Sequence, residues 1–181
     1  AGGFTHIFKR KGFEWDVGIH YIGEVQRDTS VIKRLFDYIS DAQIKWADMG
    51  DVYDKIVIGD KEYDFVKGVQ NFKDKMMGYF PDEKQAINEY VDLVFKAIKT
   101  SQKFYMDKAL PPIVSAVLGG KMRKPFHHFS DKTTYEVLSA ITKNEELIKV
   151  LSGQYGDYGL PPKQSSFVMH AAVARHYFAG G

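Results

Sequence analysis

The 181-residue sequence contains no cysteine, so disulfide bonds, thiolate nucleophiles and thiolate metal sites are excluded. It also has no apolar run near the roughly 20 residues that a membrane-spanning helix needs. A strong charge imbalance is missing too, because 25 lysines and arginines face 23 acidic residues. The basic residues are spread along the chain, which argues against a nucleic-acid partner. We expect a cytoplasmic or peripheral membrane protein.

Several catalytic motifs are absent. No Gly-x-Gly-x-x-Gly, no Gly-x-Ser-x-Gly and no Gly-Lys-Ser/Thr occurs, so the usual dinucleotide cradle, nucleophile elbow and phosphate loop are not encoded here. The adjacent pair His127-His128 points in two directions on any regular element. His170 and His176 stand six residues apart, which fits no common metal-ligand spacing. The sequence predicts no metal site.

What is present indicates one compact domain over residues 1–181, with 44% hydrophobic and 27% charged residues. Alternating residues around the turns Lys11-Gly12 and Gly59-Asp60 predict two β-hairpins, over 4–17 and 46–65. Apolar residues at helical spacing predict the remaining elements. The first of these helices follows a cap at Thr29. The others span 69–79, 82 to beyond 103, 133–141, 144–152 and 165–178. The predicted fold class is α+β: a mostly helical domain with two short β-hairpins.

Residues 110–124 are apolar first and basic afterwards, ending in Lys121-Met122-Arg123-Lys124. That order suits a segment that dips into a membrane surface, with its cations at the headgroups. A buried helix that ends on favourable cations explains the order equally well. Both interpretations stay open.

Two blocks of the chain resemble a known family. They are Gly-Phe-Glu-Trp-Asp-Val-Gly-Ile-His-Tyr-Ile-Gly at 12–23 and Tyr-Gly-Leu-Pro-Pro-Lys-Gln-Ser-Ser-Phe-Val-Met-His-Ala at 158–171. Both are similar to FAD-dependent oxidoreductases of the phytoene desaturase, carotenoid isomerase and retinol saturase family, and most similar to its retinol saturase branch. The resemblance implies a substrate-side fragment of a two-domain flavoprotein, with 1–23 near the flavin and 24–181 forming a helical substrate region. FAD would bind the full-length protein and would not be retained by this fragment.

The resemblance also implies roles for individual residues. Gly2 and Gly3 would lie against the pyrophosphate or ribityl chain of FAD, and Gly18 would let the backbone approach the isoalloxazine ring. His20 and Tyr21 would face the substrate as catalytic residues. On the residues alone, the glycine pair equally suits a frayed chain end, and His20 and Tyr21 suit ordinary packing.

The implied reaction is hydride exchange between flavin and an apolar polyene, which is saturated, desaturated or isomerised. The polyene would lie in an apolar groove between the helices predicted over 82–110 and 165–178. One alternative is a non-catalytic module that binds an apolar ligand or a membrane surface. A second is a fragment similar to flavin-dependent amine or porphyrinogen oxidases.

Overall fold

A computed structural model of the chain describes residues 7–18 and 21–181. Within these ranges the chain forms two antiparallel strand pairs and seven α-helices, which confirms the predicted mostly helical α+β class. The strands are β1 (Ile7–Arg10), β2 (Phe13–Asp16), β3 (Val52–Ile58) and β4 (Lys61–Val66). The helices are α1 (Val31–Ile39), α2 (Val69–Tyr79), α3 (Lys84–Ala109), α4 (Pro112–Ser130), α5 (Thr134–Ile141), α6 (Glu145–Leu151) and α7 (Phe167–Tyr177). Short 3₁₀ turns span Pro81–Glu83 and Gly153–Asp157.

The helix boundaries follow local capping chemistry. Thr133 caps α5 in a reciprocal box with Glu136, and the Asn144 side chain accepts the first free N–H groups of α6. The cap predicted at Thr29 is wrong by one residue. Ser30 holds the extended cap conformation, and its Oγ accepts the Ile32 N–H at 3.2 Å.

The second hairpin turns at Gly59-Asp60, as predicted, but it starts later than residue 46. Gly50 has a positive φ of 84°, and its N–H donates to the Asp48 side chain at 2.7 Å, so a turn precedes β3. The strand pair also carries a β-bulge. Val52 pairs with Val66 and Asp54 with Phe65, which leaves Tyr53 as the extra residue.

The core lies between the second hairpin and helices α2, α3, α5, α6 and α7. Its largest fully buried side chains are Phe65, Phe72, Met76, Ile87, Tyr90, Leu138, Leu147, Leu151, Phe167 and His170. Together these side chains belong to one continuous core cluster, to which all five helices contribute residues.

Helices α3 and α7 pack directly against each other, so the groove expected between them is wrong. The Tyr90 hydroxyl and His170 Nε2 lie 3.0 Å apart inside this interface, and the Phe95 and Phe178 rings stack at its end with centroids 6.2 Å apart. Both helices also bury small side chains, including Ala97 and Ala174. Small residues let helix backbones approach closely, which removes the space that a substrate would need.

The segment 110–124 belongs to α4, which continues to Ser130. Ile113 is 82% exposed and Val117 is 77% exposed, as the membrane-surface interpretation requires. The buried-helix interpretation is wrong, because these apolar side chains face outward and Lys121 and Lys124 stand in the middle of the helix.

A buried carboxylate joins α4 to α3. Asp107 accepts hydrogen bonds from Ser115 Oγ at 2.7 Å and from Arg123 Nη1 at 2.6 Å. These two donors lower the pKa of Asp107, the Ser115 hydroxyl contributing most. A side chain in place of Gly119 would press on the Asp107 carboxylate and on its two donors, so these groups would have to move.

Candidate functional site

Of the five residues assigned a role from the sequence, the structure describes Gly18 and Tyr21. Gly2, Gly3 and His20 lie outside the described residues, and their roles stay predictions. Gly18 and Tyr21 therefore mark the candidate site in the structure.

Gly18 has the one feature in this region that suits close approach by a flavin. It is exposed with a positive φ of 98°, and a Cβ placed on it would meet no atom within 4 Å. A dinucleotide also needs a phosphate cradle, usually glycines at a helix N-terminus. The described residues offer no such cradle and do not by themselves fit FAD.

Tyr21 is fixed on both sides by groups from distant parts of the chain. Its hydroxyl donates to Asp54 Oδ2 at 3.2 Å, and its ring lies against Tyr177 with centroids 4.7 Å apart. The Tyr177 hydroxyl in turn donates to the Tyr21 carbonyl oxygen at 3.2 Å. The phenol of Tyr21 is thus held in one orientation.

Asp54 is the centre of this polar cluster. Its Oδ2 accepts a second hydrogen bond, at 3.1 Å, from the amide Nε2 of Gln154 in the 3₁₀ turn Gly153–Asp157. The bulge at Tyr53 places Asp54 directly after the extra residue of β3. Because a bulge bends its strand, it re-aims the side chains beside it, here towards Tyr21.

The pKa values of Tyr21 and of Asp157 are both raised in this cluster. Burial raises the pKa of Tyr21, and the Asp54 charge raises it further, so the phenol stays protonated and acts as a donor. Burial and the neighbouring Asp54 charge raise the pKa of Asp157 to about 6. Asp157 Oδ2 is also buried without a hydrogen-bond partner in the described structure. Below about pH 6 Asp157 therefore holds a proton.

The chain after Tyr21 is tied to the end of α7. The Gly23 N–H donates to His176 Nε2 at 2.7 Å, and the Glu24 N–H donates to the Gly180 carbonyl at 3.3 Å. Burial lowers the pKa of His176, which keeps the imidazole neutral and able to accept. We call residues 21–25 together with 176–181 the seam.

A cavity of about 420 Å³ opens beside Tyr21. It is lined by eight residues: Tyr21, Ile22, Val25, Lys45, Trp46, Ala47, Met49 and Gly181. The Trp46 ring meets Phe36 of α1 edge to face at 5.1 Å. The indole Nε1 of Trp46 is buried, and no described residue accepts its hydrogen.

The remaining histidines of interest are structural in this geometry. His170 is buried between the hydroxyls of Tyr90 and Tyr158, and burial lowers its pKa to about 4, so it is neutral. Across 7–18 and 21–181, no three His, Cys, Asp or Glu side chains gather as a metal site would require. Nor do the helices in those ranges include one with the length and apolar character to cross a bilayer.

Sequence reasoning missed most of the cluster. The sequence pattern places Trp46 and Asp54 in the second predicted hairpin, Tyr177 on the last predicted helix, and Gln154 and Asp157 between two predicted helices. It gives no sign that these residues meet. The Tyr158–Ala171 block is the one signal that came close, since Gln154 and Asp157 directly precede it.

No family model matches the chain. Curated relatives do match it over almost all of its length. It is 33% identical to an all-trans-retinol 13,14-reductase of Danio rerio over 189 residues, which cover 99% of this chain and 31% of that protein. It is also 33% identical to the all-trans-retinol 13,14-reductase of Homo sapiens, covering 100% of this chain and 31% of that protein. The chain spans about a third of the length of these relatives.

A further relative of Danio rerio is named an inactive all-trans-retinol 13,14-reductase. It is 28% identical over 184 residues, which cover 97% of this chain and 30% of that protein. The resemblance to the retinol saturase branch, first seen in residues 12–23 and 158–171, is confirmed along the whole chain.

Proposed function

We propose, from the premise that this chain belongs over its full length to the all-trans-retinol 13,14-reductase family, that the whole protein is an oxidoreductase that saturates a double bond of a retinoid. The observation that carries the proposal is the match along 99 to 100% of the chain to proteins of that name. Those names favour the retinoid branch over amine or porphyrinogen oxidation and over carotenoid desaturation.

Saturation of one carbon–carbon double bond adds a hydride to one carbon and a proton to the other. The family resemblance implies FAD as the hydride carrier, bound mainly by parts of the protein outside this chain. We propose that residues 1–23 reach the flavin, through Gly2, Gly3 and Gly18, and that 24–181 form the substrate side. The chain itself would orient the retinoid, exclude water and handle the proton.

Tyr21 and His20 are the proposed catalytic residues, with different tasks. A phenol whose pKa is raised is a poor proton donor near neutrality but a stable hydrogen-bond donor, so Tyr21 orients groups around it. His20, its neighbour in sequence, has the side chain that titrates near neutral pH, and we propose that it delivers the proton.

The test is reduction of all-trans-retinol by the full-length protein with reduced flavin, followed by loss of polyene absorbance and identification of the dihydro product. Tyr21→Phe should lower turnover about 10-fold or more, because one oriented hydrogen bond is lost. Tyr38→Phe is the matched control, since Tyr38 on α1 is 84% exposed and should leave turnover unchanged.

Two further variants separate the cofactor role from the proton role. His20→Ala should lower turnover about 100-fold or more with normal flavin content, the usual scale for a positioned acid–base group. Gly18→Val should lower the flavin content, because a branched side chain is strained at a φ of 98° and fills the open face. A full-length protein that binds flavin and never reduces retinol would contradict the proposed function.

We also propose that α4 makes a peripheral membrane contact. Ile113, Val117 and Leu118 are at least half exposed on one part of the helix, and Lys121 and Lys124 follow. Apolar side chains beside cations suit an anionic lipid surface. Arg123 is not part of this surface contact, because its guanidinium is paired with the buried Asp107.

Flotation with vesicles that contain phosphatidylserine tests this contact. Lys121→Glu with Lys124→Glu should abolish binding by the full-length protein, and binding by the wild type should weaken as salt rises. Lys143→Glu with Lys149→Glu is the control of equal charge change, at two exposed lysines outside α4. Equal binding by both double variants would contradict the contact. Vesicle and retinol binding without any turnover would instead identify a non-catalytic module.

A further inference from the structure

We infer that α3 and α4 together enter an anionic lipid surface end-on, with the turn between them inserted first and a collar of lysines remaining at the headgroups. We call residues 96–124, with their turn at Leu110-Pro111-Pro112, the α3–α4 hairpin. This inference rests on the membrane contact proposed above, which concerns α4 alone. It adds the end of α3 and gives the contact an orientation and a depth.

The α3–α4 hairpin concentrates positive charge that the sequence as a whole does not have. Residues 96–124 contain seven lysines and arginines and one acidic residue, whereas the whole chain has 25 and 23. The acidic residue is Asp107, which is buried and paired with Arg123. All six lysines are exposed, and within the described ranges no acidic side chain forms an ion pair with them. The hairpin therefore presents only positive charge, which suits anionic headgroups.

Apolar and charged side chains form two layers along the axis of the hairpin. The exposed apolar residues lie within about 9 Å of the turn, at the helical rise of about 1.5 Å per residue. They are Tyr105, Met106, Ile113, Val114, Val117 and Leu118. Five lysines lie farther away, at about 10 to 21 Å by the same rise: Lys96, Lys99, Lys103, Lys121 and Lys124. Because interfacial helices bury apolar surface about 5 to 10 Å deep, the lysine layer falls at the headgroups.

The apolar layer surrounds the turn and is not confined to one face. Phe104 faces α4, where its ring stacks on an aromatic ring with centroids 4.1 Å apart, and Ser115 faces α3, where it donates to a carboxylate. Met106 is two residues from Phe104 and Ile113 is two residues from Ser115, which is about 200° around each helix. The two side chains therefore point to opposite outer sides, and they are 61% and 82% exposed. A hairpin lying flat would bury only one of them, whereas end-on insertion buries both.

The polar side chains near the turn have their partners within the hairpin. Asp107 accepts hydrogen bonds from Ser115 and Arg123, so its charge is compensated between the two helices. Lys108 is the one lysine attached close to the turn. Its ammonium lies 5.3 Å from the centroid of the Phe104 ring, which is one helical turn farther from the tip. The inserted end therefore carries no unpaired charge that points towards the hydrocarbon.

The backbone of the turn also suits lipid. Pro111 and Pro112 have no N–H group, and the Leu110 N–H donates to the Asp107 carbonyl oxygen at 3.1 Å. The Ser115 N–H donates to the Pro111 carbonyl oxygen at 3.0 Å. Because an unsatisfied backbone donor is costly in hydrocarbon, a turn with two prolines enters it more easily than an ordinary polar turn.

The experiment measures binding of the full-length protein to phosphatidylcholine vesicles with and without phosphatidylserine. Met106→Glu and Ile113→Glu change the two opposite sides of the tip. Each should weaken binding to the anionic vesicles about 10-fold or more, because a carboxylate would enter the apolar layer. Met169→Glu is the matched control, since Met169 is an exposed methionine of α7. It should bind as the wild type does, and all three variants should keep the wild-type melting temperature.

Insertion depth is measured with added tryptophans. Met106→Trp and Ile113→Trp add fluorescence to the wild-type signal, and lipids brominated on their acyl chains should quench the added fluorescence of both. Lys96→Trp, at the far end of the lysine layer, should show no such quenching. Added fluorescence at the tip that these lipids leave unchanged would overturn insertion.

The other outcomes separate the inference from the proposals on which it rests. Weaker binding of Ile113→Glu with wild-type binding of Met106→Glu would show that α4 lies flat, which overturns end-on insertion and leaves the membrane contact standing. Equal wild-type binding to vesicles with and without phosphatidylserine would overturn the lysine collar. Absence of wild-type binding to both would overturn the contact and the inference together. Reduction of detergent-solubilised retinol is assayed separately and tests the enzymatic proposal alone.

Discussion

Helices α1 and α3 carry the same kind of apolar stripe, and only α3 buries it. In α3, Ile87 and Val94 are fully buried against neighbouring helices. In α1, Leu35 is 56% exposed and Ile39 is 64% exposed, and no residue of the helix is buried. The aromatic face of the first hairpin is exposed in the same way as the apolar face of α1, since Phe13 is 67% exposed and Trp15 is 53% exposed.

The difference shows that an amphipathic pattern specifies an apolar face but not what covers it. The packed region, built by β3, β4, α2, α3, α5, α6 and α7, is covered from within the chain. The outer region, built by β1, β2, α1 and α4, presents similar faces to the outside. Contiguous exposed apolar patches mark contacts with a partner, a ligand or a membrane.

The comparison is tested most strongly by equal truncations in the two regions. Leu147→Ala, at a fully buried position of α6, should lower the free energy of unfolding by about 2–5 kcal/mol. Leu35→Ala on α1 should change it by less than about 0.5 kcal/mol. Thermal and urea denaturation of the full-length protein measure both. If Leu35→Ala lowered the free energy of unfolding as much as Leu147→Ala does, the rest of the protein would have to cover α1.

The next effect concerns the buried carboxylate of Asp107, which joins α4 to α3. Arg123→Met should destabilise the protein clearly more than Lys124→Met, because Asp107 would stay buried with its charge unpaired. The lowered pKa of Asp107 means that its contribution is fully present above about pH 4 and is lost as the pH falls further. Denaturation of both variants at pH 7 and pH 3 checks this. Equal stabilities at pH 7 would contradict it.

A smaller effect is expected at the seam, where outer and packed regions meet. In Gly23→Ala the added Cβ would lie 2.6 Å from the His176 carbonyl oxygen, so the backbone must shift. We expect a loss of about 1–3 kcal/mol, typical of overpacking. Gly156→Ala is the control, because a Cβ there meets no atom within 4 Å. Melting temperatures that match in the two variants would show that the seam is loose.

The smallest effect is the pH dependence of the polar cluster. Since the folded pKa of Asp157, about 6, lies above the ordinary carboxyl value, the folded state holds more protons between about pH 4 and 6. Its contribution to stability therefore falls as the pH rises through this window and is level above it. Asp157→Asn should remove that slope, and the exposed Asp60→Asn should keep it. Melting temperatures at pH 4, 5, 6 and 7 measure the difference.

The titration of His176 changes the stability in the opposite direction as the pH rises, so its effect must be separated from that of Asp157. Burial lowers its pKa, so its contribution is present above about pH 6.5 and is lost as the pH falls. Because both Asp variants keep His176, the difference between their curves isolates Asp157. Parallel curves would show that Asp157 titrates normally.

Most helices could be predicted because their signals are local. The cap at Asn144 and the box of Thr133 with Glu136 involve neighbours within three residues. The length of α4 could not be predicted in this way, since Gly119, Gly120 and Pro125 all argue against a helix. Asp107 of α3 binds Ser115 and Arg123 on either side of the two glycines, and this tertiary contact has no signature in the local sequence.

The site was predictable only where a motif covered it. Tyr21 falls within the 12–23 block, whereas its partner Asp54 is 33 residues away and Tyr177 is 156 residues away. The expected groove failed for the same reason. The sequence pattern correctly predicts an apolar face on α3 and on α7. An apolar helix face that packs on another helix has the same sequence pattern as one that lines a channel.

The seam also has a mechanical consequence. Its hydrogen bonds join residues 21–24 to 176–180, so the long stretch of chain between them leaves and returns at one place. Tension applied between residue 21 and residue 181 would load these few bonds, and with them the end of α7, before it reached the other core helices. In a single-molecule pulling experiment the seam would therefore act as the first element to yield, and the packed helices would keep their fold until it opened.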